Sequence, residues 1–167
     1  MPVGAPYHGR IAEYPTIRVD VFQTPRGVEE STVDLYLLTH THSDHTGGLD
    51  SPSFGQLVYC SAEAKQMLLK QERAGDRISY DRGQLHSKVL PWSHLRVQKG
   101  RYTSHRDLLV GGSHVSVIHA LNSAQRPIPI NTPRTFQLNG QEKVVVTAID
   151  ANHCPGSVMS VYVIPFD

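Results

Sequence analysis

The chain has 167 residues, and its 16 Lys and Arg nearly balance 15 Asp and Glu, leaving a formal net charge of +1. With 39% hydrophobic and 19% charged residues it can close one hydrophobic core, which excludes a wholly disordered chain. The longest apolar stretch, residues 158–166, is broken by Ser160 and Pro165 and is far short of a membrane span, so no membrane partner is expected.

Met1-Pro2-Val3-Gly4-Ala5-Pro6 lacks the charged start and apolar middle of a secretory signal, which points to an intracellular protein. Two cysteines, Cys60 and Cys154, are too few for a disulfide framework and read as reduced thiols. Residues 17–22, Ile-Arg-Val-Asp-Val-Phe, alternate with period two and predict a short strand with Ile17, Val19 and Val21 on one face. Asp20 then points the other way, which by itself suggests a carboxylate exposed to water. Leu35-Tyr36-Leu37-Leu38-Thr39 predicts a buried strand feeding a polar loop that begins at His40. Leu57-Val58-Tyr59 reads as another strand. Ser61 suits a helix N-cap, Glu63 the first turn, and Ala64, Met67 and Leu68 recur at helical spacing, so a helix to about Glu72 follows.

From residue 73 to 133 the pattern degrades into Gly and Pro punctuation with a weak strand signal at Val115 to Ile118, and no structure is assigned there. Thr135-Phe136-Gln137-Leu138, Asn139-Gly140 and then Val144-Val145-Val146-Thr147-Ala148-Ile149 predict a hairpin, since Asn-Gly suits the positive φ of a type I′ turn. A second loop, residues 150–156, precedes a last strand over 158–164, whose Val158, Val161, Val163 and Ile164 would form an aggregation-prone edge if nothing paired with them. The elements describe an α/β chain of the α+β type, mostly β with one clear helix.

Ten histidines are the compositional oddity, and three of them fall in His40-Thr41-His42-Ser43-Asp44-His45. Zinc takes nitrogen and oxygen donors of this kind, and a catalytic zinc needs about three protein ligands and an open position. On an extended loop His40 and His42 project to the same side and can share a metal, while Asp44 and His45 can reach a neighbouring one. The plain alternative is a solvated, His-rich loop. His153 also follows a strong strand and lies in a Pro/Gly loop, from which it could supply a third nitrogen to the metal of His40 and His42. Taken singly, a histidine beside a strand end is more often a hydrogen-bonded structural residue.

Leu38-Thr39-His40-Thr41-His42-Ser43-Asp44-His45 resembles the signature of the metallo-β-lactamase fold. Asp150-Ala151-Asn152-His153-Cys154-Pro155-Gly156-Ser157-Val158-Met159 resembles the third motif of its β-CASP branch of DNA nucleases. Ala12-Glu13-Tyr14-Pro15-Thr16-Ile17, followed by Val19-Asp20, is similar to the amino terminus of DNA end-processing members of that branch, and Tyr59-Cys60-Ser61 before the helix also fits. The resemblance implies the first half of an αββα sandwich, with zinc as cofactor. It implies a first zinc on His40, His42 and His153, and part of a second site on Asp44 and His45. Asp20 would correspond to the family's first acidic motif, accepting the free N–H of a ligand histidine and fixing its tautomer; with Asp44 it is the expected catalytic carboxylate. In the family the position of Cys154 supports the loop and is not a ligand.

The implied activity is zinc-dependent phosphodiester hydrolysis of DNA, in the end processing of double-strand-break and interstrand cross-link repair, with repair proteins as partners and the nucleus as compartment. Family members continue with a Gly-Asp motif that bridges two metals and then a β-CASP domain. Residues 1–167 are therefore expected to be a partial metallo-β-lactamase domain that binds about one zinc, with little nuclease activity alone. The resemblance covers the chain except for 73–133, read as a basic, loop-rich insertion. Between Lys65 and Arg106 ten basic residues face three acidic ones, a local net of +7, with Tyr80, Trp92 and Tyr102 interleaved. Such a segment could contact phosphates and stack on bases, or could be a solvated insertion. Two other readings stay open: a small-molecule metallo-hydrolase of the same fold, and a non-catalytic zinc-binding piece.

Overall fold

The computed structural model describes residues 9–23, 32–51, 54, 56–92, 95, 109–110, 128–138 and 142–163. One sheet is parallel, in the order β1 (Ile17–Val19), β2 (Leu35–Leu37), β3 (Val58–Tyr59) and β4 (Leu109–Val110). The other is antiparallel, in the order β5 (Arg134–Gln137), β6 (Lys143–Asp150) and β7 (Val158–Val163). Two helices, α1 (Ala62–Lys70) and α2 (Ala74–Asp81), complete the regular elements of the described residues. The mixture is of the α+β type and is compatible with a metallo-β-lactamase fold.

Period-two alternation sorts the side chains into two cores. Ile17, Val19, Leu35, Leu37 and Tyr59 of the parallel sheet meet Phe136, Val144, Val146, Ala148 and Val158 of the antiparallel one. The opposite face of the parallel sheet sends Val58 into a second core, where Leu38, Leu49 and Cys60 pack against Ala64, Leu68 and Leu69 of α1. Each such aliphatic side chain contributes roughly 1.5–3 kcal/mol on burial. The layers therefore run helix, sheet, sheet. On the outer face of the second sheet, Met159, Val161 and Val163 of the edge strand β7 remain half exposed, opposite Ile149, Thr147 and Val145 in register.

α1 starts as expected, with Ser61 Oγ accepting the Ala64 N–H at 3.1 Å. The stretch from 73 to 133 is not only loop: α2 lies inside it, and so does β4, which extends the parallel sheet. α2 escapes the pattern because it buries none of its side chains. β1 is shorter than predicted, for Asp20 takes a left-handed backbone (φ 58°) that ends the strand before Val21. Phe22 then turns into the helix-side core. The hairpin forms in the expected order, with Leu138 N–H donating to Glu142 O at 2.9 Å. The Asn139-Gly140 turn, the weak strand at 115–118 and Ile164 lie outside the described residues. No helix among the described residues is long and apolar enough to cross a membrane.

Candidate metal centre

Two loops, one from each sheet, build the centre. The first leaves β2 at Leu38, whose N–H donates to Tyr59 O at 2.9 Å, and carries Thr39 to His42 into a 3₁₀ turn at Ser43–His45. The second joins β6 to β7. Asp150 Oδ1 accepts the Asn152 N–H at 2.8 Å, and Ser157 Oγ accepts the N–H groups of His153 and Cys154 at 3.2 and 3.1 Å. Val158 N–H donates to Thr39 O at 3.1 Å, fastening one loop to the other.

Their imidazoles converge. His40 Nε2 lies 3.1 Å and His153 Nε2 3.3 Å from His42 Nδ1. Donors 2.0–2.1 Å from a tetrahedral zinc stand roughly 3.3 Å apart, so the spacing of these nitrogens fits a shared cation. The surrounding hydrogen bonds fix which nitrogens carry protons. Asp20 Oδ1 accepts the Thr39 N–H at 2.7 Å, and Asp20 Oδ2 accepts the Thr39 hydroxyl at 2.6 Å. Having given its proton away, Thr39 Oγ1 can only accept from His40 Nδ1, 2.9 Å distant. His40 Nε2 is left with its lone pair toward the other rings. Burial pushes the His40 imidazole below its ordinary value, with His45 and His42 acting the same way and Asp20 opposing them. A neutral ring is what a metal ligand requires.

A second group lies alongside. His45 Nδ1 is 2.7 Å from Asp20 Oδ2, and its Nε2 is 3.5 Å from Asp44 Oδ2. Asp20, His40 and His45 also bring donor atoms together. Asp20 is 10% exposed and already accepts from Thr39 twice and from His45, so its oxygens are engaged in orienting the loop. Asp44 is exposed, and the turn brings it to His45 but not to the three-histidine group. Neither Cys60 nor Cys154 is in a disulfide, and the Cys154 backbone, through its bond to Ser157, belongs to the support of the loop.

Thr39, Ser61 and Ser157 were not legible as site residues. Hydroxyls are common in any sequence, and the only signal was position: Thr39 beside His40, Ser157 four residues after His153, and Ser61 before the helix.

The basic segment is partly neutralised. Arg73 pairs with Asp50 at 3.0 Å, Arg77 with Asp81 at 2.9 Å, and Lys88 with Glu72 at 3.0 Å. Trp92 is buried in the helix-side core, and Tyr80 is half-buried with Lys88 Nζ 5.8 Å from its ring centroid. Trp92 is thus not the exposed stacking surface that the sequence suggested. Tyr102 and the cations from Arg96 onward lie outside the described residues.

No protein-family model matches the chain. Known proteins do match over 93% of it: Artemis of Mus musculus at 28% identity and Artemis of Homo sapiens at 27%, and the 5′ exonuclease Apollo of Mus musculus at 30%. The chain is similar to Artemis and Apollo. It spans about a fifth of the length of these curated relatives, 17% and 18% of the two Artemis proteins and 20% of Apollo. At 93% coverage of the chain, the match with Artemis cannot leave out His40, His42 or His153.

Proposed function

We propose that the chain carries the zinc-binding part of a DNA nuclease centre, with His40, His42 and His153 holding one zinc. The observation that carries this reading is the approach of His40 Nε2 and His153 Nε2, from two loops distant in sequence, to 3.1 and 3.3 Å of His42 Nδ1. Similarity to a named 5′ exonuclease supports DNA as the substrate and phosphodiester hydrolysis as the reaction. Held by His40, His42 and His153, zinc would supply Lewis acidity to a water and to the phosphate. The chain's own residues do the positioning. Asp20 and Thr39 hold His40 in the tautomer that turns Nε2 inward, and Asp20 orients His45. His45 and Asp44 present one nitrogen and one oxygen 3.5 Å apart as partial ligands for a second metal.

Among the described residues that second pair adds only two donors. The chain by itself is therefore assigned about one tightly held zinc and little DNA hydrolysis. DNA end processing in repair, and a nuclear location, follow as the setting of such an activity. Metal analysis of the purified chain tests the reading. About one zinc per chain is expected, lost in His42→Ala. Two tightly held zincs, or undiminished zinc in His42→Ala, would refute it.

A further inference from the structure

We propose that Ser61 is a positioning residue for the metal centre, although it lies on neither histidine loop. The inference rests on the reading of His40, His42 and His153 as ligands. Ser61 caps α1 by accepting the Ala64 N–H at 3.1 Å, and its hydroxyl proton goes to Gly156 O at 2.6 Å, across 95 positions of the chain. Ser61 is 2% exposed, so water does not compete for either bond. The hydroxyl thus joins the end of the helix to the loop that carries His153, three residues before Gly156.

Gly156 shows how close that contact is. Its φ is +78°, and a Cβ built there would lie 2.6 Å from Ala64 N, 2.6 Å from Glu63 Cβ and 2.8 Å from Ser61 Oγ. The backbone of the loop rests directly on the first turn of α1, where the helix also presents the positive end of its dipole to the Gly156 carbonyl. On its other side the same loop is tied through Ser157 to the His153 and Cys154 N–H groups and through Val158 to Thr39. His42 and His40 are fixed by the first loop, and α1 supplies the independent support that sets the distance of His153 from them. Releasing Gly156 from the helix lets His153 swing out of the shared position while the helix stays.

Substitution separates capping from positioning. Ser61→Gly removes the bond to Gly156 and also the acceptor of the buried Ala64 N–H, which lowers the stability of the chain; Ser61→Thr keeps both bonds. Gly156→Ala leaves every donor in place and forces the loop off the helix. The probe is Co(II), whose visible absorption reports the geometry of its ligands, titrated into the full chain. Wild type and Ser61→Thr are expected to share one spectrum. Ser61→Gly and Gly156→Ala are expected to show a weaker, shifted spectrum and about tenfold weaker Co(II) binding, with metal-free melting lowered in Ser61→Gly by the lost cap and close to wild type in Ser61→Thr. An unaltered spectrum and affinity in Ser61→Gly overturns the proposal. Should Ser61→Gly fail to fold, Gly156→Ala decides on the same criterion. Absence of Co(II) binding by wild type refutes the metal centre itself and removes the proposal with it, a result distinct from equal binding by wild type and Ser61→Gly.

Discussion

Because the Thr39 hydroxyl has one proton and Asp20 takes it, the tautomer of His40 is decided by a residue that would never bind metal. Replacing Thr39 by valine keeps the shape and removes the acceptor for His40 Nδ1–H, in a residue only 7% exposed. Leaving a buried donor unpaired costs about 1–3 kcal/mol, so Thr39→Val is expected to unfold earlier in urea by that amount. It also frees His40 to move its proton to Nε2, the nitrogen that faces His42. Zinc affinity, read by competition with a chromophoric chelator, is expected to fall about 10–100-fold. Equal affinity in the variant would mean that the Asp20–Thr39–His40 chain does not set the tautomer. The metal-ligand set proposed here was legible because imidazoles are scarce and His40 and His42 sit two apart on one strand end. Its support was not. Which hydroxyl meets which ring depends on the loops being brought together and is not encoded by spacing; only the resemblance, which implied that Asp20 accepts from a ligand histidine, pointed to part of it, and His45 Nδ1 lies 2.7 Å from Asp20.

The same contrast holds between the helices. α1 was readable in its N-cap at Ser61, its acid at Glu63 and the buried Ala64 and Leu68 of the expected face, but Met67 of that face is exposed and Leu69 is buried instead. α2 buries nothing, contains Gly75 and Ser79, and is braced by an i,i+4 pair in which Arg77 Nε reaches Asp81 at 2.9 Å. Its helicity comes from local bonds that leave no hydrophobic period. Gly75 is its weakest position, and a Cβ added there meets nothing within 4 Å. Glycine in a helix interior costs roughly 0.5–1 kcal/mol relative to alanine, and since Gly75 lies in the first turn, Gly75→Ala is expected to stabilise the chain by at most about 0.5 kcal/mol. A rise in denaturation midpoint without a change in zinc content would bear this out, whereas a fall would show that α2 makes a contact the geometry does not reveal. Among the strands, β6 and β7 were readable from alternation. The end of β1 was not, because aspartate, although among the non-glycine residues that reach the left-handed region, is far more often extended; its carboxylate bonds to Thr39 and His45 hold it there.

At the scale of the molecule the centre lies where the two sheets meet. His40 and His42 follow β2 of the parallel sheet, His153 precedes β7 of the antiparallel one, and Val158 N–H to Thr39 O is the backbone link between their loops. A metal held by all three rings therefore adds a tie between elements that the shared apolar core and the Thr39–Val158 and Ser61–Gly156 bonds already join. Such a tie forms only in the folded chain, because unfolding separates His42 from His153 by 111 positions. Ligand binding to the folded state alone stabilises it by RT ln(1 + [L]/Kd), or about 2.7 kcal/mol at a hundredfold excess over Kd. Zinc at that excess is thus expected to raise the unfolding free energy by about this amount, and a chelator to reverse the gain. His153→Ala should abolish the increment as completely as His42→Ala does, although the two residues belong to different sheets. If His153→Ala kept most of the increment, zinc would be bound by the first loop alone, and the join between the sheets would rest on the core and the Thr39–Val158 and Ser61–Gly156 bonds.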